Sequence, residues 1–349
     1  MKFLVIRFSS IGDIVLATPA IRCLKQQVPN AEVHFLCKQN FKAVTEGNPY
    51  IDQFYYFKND LRLLISELKK EEYDYIIDLH DNFRTRRIAW ALKTKVLRYD
   101  KERLGKLLLT KLHINKMSGR HISDRCVDTL TALGVKNDDK GLDYFIPSSK
   151  EVAMSELPAA HLAGFVAIVI GASYFTKKLP VKKLQELCMQ LDYPIILVGG
   201  KEDAVEGEAI AAIDPIRIYN ACGKFSLHES ADLVRKSKLV ISHDTGLQYI
   251  ACAFHKPVLA IWGGTSPLLD VEPYYPNNDY IHHGAMHQKA FEKNTTLKGP
   301  YQNFIVPNLS CQPCSNYGTK TCPKGHFNCM LQQDIGAIVS TAQFYLRII

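Results

Sequence analysis

Three strings in this sequence carry residue types that could bind a phosphate or move a proton. Arg7-Phe8-Ser9-Ser10-Ile11-Gly12-Asp13 sets a carboxylate directly after a glycine turn that follows an apolar run. An acid so placed is either a helix-start residue favoured by the macrodipole or a general base aimed at a hydroxyl. Gly171-Ala172-Ser173-Tyr174-Phe175-Thr176-Lys177-Lys178-Leu179-Pro180 joins small residues, hydroxyls and two lysines. That mixture suits phosphate oxygens, and equally a solvated basic loop. Ser242-His243-Asp244-Thr245-Gly246-Leu247 opens a helix whose first N–H groups can approach a pyrophosphate, with Asp244 as a cap or a sugar ligand. Trp262-Gly263-Gly264-Thr265-Ser266-Pro267 forms a further loop aimed at the same edge. No G-x-G-x-x-G follows either opening strand, so a dinucleotide-binding oxidoreductase is disfavoured.

Two more clusters stand apart. His80-Asp81-Asn82-Phe83-Arg84-Thr85-Arg86-Arg87 places three arginines within four residues, able to grip phosphates or carboxylates or simply to begin an exposed basic helix. Arg120, His121 and Arg125 are weaker candidates of the same kind. Cys311, Cys314, Cys322 and Cys329, with His326 among them, leave three readings open: structural zinc, packed reduced thiols or a disulfide. The remaining six cysteines lie in apolar context and read as buried thiols.

The elements that must position these groups alternate. Strands are expected at Lys2–Phe8, Glu32–Cys37, Gln53–Phe57 and Tyr73–Leu79. Helices are expected at Asp13–Gln27, with Pro19 at a kink or break, at Leu61–Lys70, and at Asp124–Leu133 stopping at Gly134. Pro147, Ser148, Ser149 and Pro158 mark a linker, after which the pattern restarts. Strands at Phe165–Ile170, Pro194–Val198, Leu239–Ser242 and Pro257–Trp262 alternate with helices at Val181–Gln190, Ala204–Ala212, Ser226–Lys236 and Thr245–Phe254. A last helix covers Asp334–Leu346. The expectation is an α/β protein of two doubly wound domains, 1–155 and 156–349, with ligands at the carboxyl ends of strands and a cleft between the domains.

Length and charge agree. The chain has 349 residues, enough for two ordinary domains, and 47% of them are hydrophobic, which excludes disorder. Its 43 Lys and Arg against 35 Asp and Glu give a formal charge of +8, favouring anionic partners. No nucleic-acid motif accompanies that charge. Arg7 interrupts the first apolar stretch and no cleavage pattern follows, so a cytoplasmic location is expected.

Taken in order, these strings resemble the heptosyltransferase family of glycosyltransferases, typified by the ADP-heptose:lipopolysaccharide heptosyltransferases. The carriers are Ser9–Asp13 with Thr18-Pro19-Ala20, the Gly171–Pro180 loop, Val198-Gly199-Gly200, Gly223-Lys224-Phe225-Ser226-Leu227, Asp244–Leu247 and the Cys311–Cys329 segment. The resemblance implies a GT-B fold of two Rossmann-like domains and an inverting sugar transfer with no required cofactor. It implies Asp13 as catalytic base, Ser173 and Lys177 on the donor phosphates, and Asp244, Thr245, Gly246 and Leu247 as the donor turn. Glu202 or Asp203 would meet the nucleotide ribose. Arg84, Arg86 and Arg87 are the acceptor-side candidates. The implied partners are a nucleotide diphosphate sugar and a lipopolysaccharide core, with peripheral contact at the inner membrane. The family often has His where Tyr249 stands. A nucleotide-sugar-binding protein without turnover is the alternative reading.

Overall fold

The run KFLVI is apolar toward both faces, as a central parallel strand must be, and Lys2–Ile6 forms β1 with four of its five residues buried. It is followed by α1 (Ile11–Leu16), α2 (Thr18–Gln27), β2 (Glu32–Lys38), α3 (Lys42–Thr45), β3 (Gln53–Phe57), α4 (Leu61–Leu68), β4 (Tyr75–Asp78), α5 (Phe83–Leu92) and β5 (Lys95–Arg98). The strands pair in parallel in the order β3-β2-β1-β4-β5. This computed structural model describes residues 1–276 and 300–348.

The expected helix over 13–27 is two helices. Proline at position 19 has no N–H for the carbonyl of Val15, and the Thr18 hydroxyl donates to that carbonyl instead, at 2.7 Å. The expected helix over 124–133 is also shorter: α7 covers Ile122–Asp128 and a tight turn at Thr131–Leu133 ends in left-handed Gly134.

A second parallel sheet, ordered β11-β10-β9-β6-β7-β8, is built from β6 (Val166–Val169), β7 (Ile195–Val198), β8 (Ile218–Asn220), β9 (Leu239–His243), β10 (Val258–Ile261) and β11 (Tyr301–Phe304). It carries α8 (Val181–Gln190), α9 (Ala204–Ala211), α10 (Leu227–Lys236), α11 (Gly246–Ala253) and the terminal helix Ile335–Ile348. Ile338 and Ala342 of that terminal helix join Leu184 and Leu187 of α8 over Ile168, Leu197 and Ile241 of the sheet.

The chain accordingly divides into two units. One holds Met1–Glu102 and Arg120–Phe145; the other holds Ile146–Tyr275, the described residues from 300 onward and the excursion Arg103–Gly119, which includes α6 (Arg103–Leu107). In both sheets the strand order reverses beside the first strand, between β1 and β4 and between β6 and β9. Ligands of open α/β sheets bind at the carboxyl end of such a switch point.

Candidate active site

At the β1/β4 switch point, Asp13 sits in the first turn of α1, and its carboxylate is already engaged. One oxygen meets the Arg7 guanidinium at 2.5 Å; the other accepts from the Ser10 N–H and the Ser10 hydroxyl, each at 3.0 Å. Burial alone would raise this carboxyl, but Arg7 and the Ser10 donors outweigh it and hold it below its ordinary value. Asp13 is therefore an ionised carboxylate at neutral pH.

Arg7 is itself buried and also donates to the Leu79 carbonyl at the end of β4, which ties the two strand ends together. Beside it, the His80 imidazole is pushed down to about 3, chiefly by burial and then by Arg7, and it stays neutral edge-on to Phe8. The sequence offered Arg7 within the same string as Asp13, yet nothing in the spacing gave it a role.

The arginines of α5 separate in the structure. Fully buried Asp78 shapes the turn before the helix by accepting from the backbone of Asp81 and from the Thr85 hydroxyl, both at 2.8 Å. Asn82 caps the helix. Arg84 lies over the Phe57 ring, which touches Phe8. Arg86 is paired with Asp81 at 3.0 Å, and Arg87 turns outward over Phe83. Arg84 is thus the one directed to the strand ends. Arg120 and Arg125 are committed elsewhere, Arg120 to Asp128, Arg125 to Glu102 and the Asp100 carbonyl, while His121 caps α7.

At the β6/β9 switch point of the other unit, Lys177 and Asp244 come together. The ammonium lies 2.7 Å from one Asp244 oxygen, which also accepts from the Thr265 hydroxyl at 2.8 Å. The Tyr249 hydroxyl donates chiefly to the Val271 carbonyl at 2.7 Å and lies 3.3 Å from the second Asp244 oxygen. Thr245, Gly246 and Leu247 open α11 half-buried beside this carboxylate. Neutral His243, driven down to about 3 mainly by burial, accepts the Leu179 N–H at 2.9 Å and fixes the exit of the lysine loop.

Ser173 is exposed at the tip of that loop. Of the two acids after Gly200, Asp203 is buried, accepting from Lys178 at 2.8 Å and from the Gly200 N–H at 2.9 Å, so its carboxylate is spent within the fold. A Cβ on Gly171 would lie 2.2 Å from that carboxylate, which is why the loop must begin with glycine. Glu202 is the exposed acid of the pair.

The cysteine segment proves to be part of this site's framework, which the spacing of its thiols did not indicate. Thr319 exchanges hydrogen bonds with Thr176, its N–H donating to the Thr176 hydroxyl at 2.8 Å. Cys314 and Ser315 donate from the backbone to the Gly264 carbonyl, and the Gln312 amide reaches the Gly263 carbonyl at 2.7 Å. Gly318, at φ +92°, packs so closely that an added Cβ would lie 2.9 Å from the Lys177 stem. All four cysteines are free, so the disulfide reading does not hold. Cys311 lies 3.7 Å from His326, and burial pushes the Cys329 thiol up to about 12. Among the described residues, the one trio of ligand-type atoms within 4.8 Å of one another is Glu32, His34 and Glu71, whose carboxylates already share Lys2; these cysteines form no such trio. After burial, the other cysteines of the segment push the Cys314 and Cys329 thiols up further.

The arrangement thus offers an ionised carboxylate in one unit and a lysine, hydroxyls and a helix start in the other. Comparison with known proteins gives it a family. Lipopolysaccharide heptosyltransferase 1 of Campylobacter coli is 25% identical over 291 residues, covering 76% of this chain and 84% of that protein. Among solved structures, ADP-heptose lps heptosyltransferase II of E. coli aligns over 99% of this chain and 98% of its own at TM-score 0.71 and 16% identity. The E. coli heptosyltransferase WaaC with ADP aligns over 79% of this chain and 91% of its own at TM-score 0.62 and 20% identity. The fold is that of GT-B glycosyltransferases. The sequence profile of glycosyltransferase family 9 (heptosyltransferase) matches residues 61–301, and the chain belongs to that family of glycosyltransferases.

Proposed function

We propose that this enzyme transfers a heptose, or a closely related sugar, from ADP-heptose or another nucleotide diphosphate sugar to the inner core of lipopolysaccharide, with inversion at the anomeric carbon. The observation that carries the donor side is Lys177 beside Asp244 and the start of α11. Lys177 and the first N–H groups of α11 stabilise the diphosphate as it leaves, with Ser173 at the rim and Glu202 toward the ribose. As the acceptor oxygen attacks the anomeric carbon, its proton passes to the Asp13 carboxylate while the bond to the diphosphate breaks. The low pKa of Asp13 keeps it in the proton-accepting form at neutral pH. Of the three arginines proposed for the anionic acceptor, Arg84 over Phe57 faces it, while Arg86 is held by Asp81 and Arg87 lies over Phe83. The segment containing the four cysteines acts as a buttress, and no metal is assigned to the reaction. The work takes place at the cytoplasmic face of the inner membrane.

The test is direct. Purified protein is incubated with ADP-heptose and a lipopolysaccharide core lacking heptose. The expected result is ADP release matched by one heptose added per core molecule, read by mass spectrometry. A donor that raises the melting temperature without any transfer, across a panel of cores, would instead support a nucleotide-sugar-binding protein without turnover.

A further inference from the structure

The excursion Arg103–Gly119 exposes what a soluble fold normally hides. It begins with α6, continues through the π-helical turn Leu108–Leu112 and stops at left-handed His113, after which the Ile114 N–H returns to the Leu108 carbonyl. Leu109 and Thr110 are its buried anchors. Leu104 is 69% exposed, Leu107 53%, Leu112 62% and Ile114 46%. Four large aliphatic side chains in the open within eleven residues are far from the usual scatter of single surface apolars. Arg103, Lys106, Lys111 and Lys116 are interleaved with them, and residues 103–117 contain no Asp or Glu. None of these side chains belongs to the donor or acceptor groups described above.

We infer that this excursion docks the enzyme onto an anionic phospholipid surface, its leucines entering the headgroup boundary and its cations meeting lipid phosphates. The composition is that of an interfacial segment: aliphatic residues on the outside, cations alone among the charged groups, and low overall hydrophobicity. Among the described residues no helix is long and apolar enough to cross a membrane, so this contact would be peripheral. The charge pattern favours an anionic bilayer over a second copy of a chain that itself carries +8. The inference rests on the proposed function only for its biological sense, since a membrane-borne acceptor gives the docking a purpose.

Co-sedimentation with vesicles tests it without turnover. The full chain should bind vesicles of phosphatidylcholine mixed with phosphatidylglycerol, bind pure phosphatidylcholine weakly, and be released by salt. The variant Lys111→Gln/Lys116→Gln should lose about fivefold per lysine on the mixed vesicles. The variant Leu104→Ser/Leu107→Ser/Leu112→Ser should lose at least about a hundredfold, with an unchanged circular dichroism spectrum because all three side chains are exposed. Equal partition of that variant and the parent would overturn the proposal. So would a concentration-dependent dimer, formed without vesicles and abolished by the serine changes. Sugar transfer to a detergent-dispersed acceptor should survive the serine changes. A parent that binds vesicles but transfers no sugar would refute the proposed function and leave this inference standing.

Discussion

Replacing Asp13 with Asn separates the ion pair its carboxylate makes with Arg7 from the proton-accepting role proposed for it. Asparagine keeps the shape and still caps a helix, so from the sequence the change looks harmless to folding. The structure says otherwise. The Arg7 side chain is 8% exposed and its partner Asp13 27% exposed, and their contact is 2.5 Å. Removing one partner leaves the guanidinium buried without a counter-charge, a loss of about 3–5 kcal/mol for buried pairs. The partial exposure of Asp13 and the surviving bond from Arg7 to Leu79 put this case at the lower end.

Urea unfolding of the parent, of Asp13→Asn and of Arg7→Met/Asp13→Asn measures it. The double variant should be more stable than Asp13→Asn alone, because it removes the stranded charge together with its lost partner. The gap between the parent and Asp13→Asn should also depend on pH. The folded Asp13 pKa lies below the unfolded one, so its contribution is complete above about 3.9 and lost as pH falls through the folded value. Turnover should fall about 10²–10⁴-fold while donor affinity holds. A double variant less stable than Asp13→Asn would refute the paired-charge argument, and near-parental transfer would refute the base.

Three further outcomes are expected. Lys177→Ala should weaken ADP binding by about 1.5–3 kcal/mol in calorimetry, the range for a charged hydrogen bond; unchanged affinity would remove Lys177 from the donor site. Gly318→Val should raise the donor KM, because its side chain must displace Tyr174 and the Lys177 stem, and a normal KM for that variant would show that the loop yields at no cost. Arg84→Ala should raise the acceptor KM more than Arg86→Ala, since Arg86 is already held by Asp81, and the reverse order in steady-state kinetics would contradict the placement of Arg84.

Much of this was legible in the sequence, and the exceptions have a common cause. Central strands such as Val166–Val169 and Leu239–His243 are buried on both faces and read as apolar runs. The strands that escaped, β5, β8 and β11, all lie at sheet edges. Tyr301–Phe304 carries Gln302 and Asn303, and Ile218–Asn220 is three residues long, so neither gives a periodic signal. At the site, Asp13, Lys177 and Asp244 were visible because they follow strands. The Arg7–Asp13 and Tyr249–Asp244 contacts were not, because spacing does not show which near neighbours turn together, and the Thr265–Asp244 and Thr176–Thr319 contacts join residues 21 and 143 positions apart. Asp203 shows the same limit from the other side: its position after two glycines suggested a ligand, whereas Lys178 consumes it.

The distance between Thr176 and Thr319 has a consequence for the making of the protein. The two residues are 143 positions apart, so the lysine loop emerges from the ribosome well before the segment that braces it. At about 5–20 residues per second, the intervening chain takes several seconds or longer to synthesise. Through that interval the first sheet can be complete and α8 already formed, while the lysine loop still lacks the contact that braces it. Until Thr319 is made, the lysine loop lacks its contact through Thr176, and the terminal helix Ile335–Ile348 follows later still.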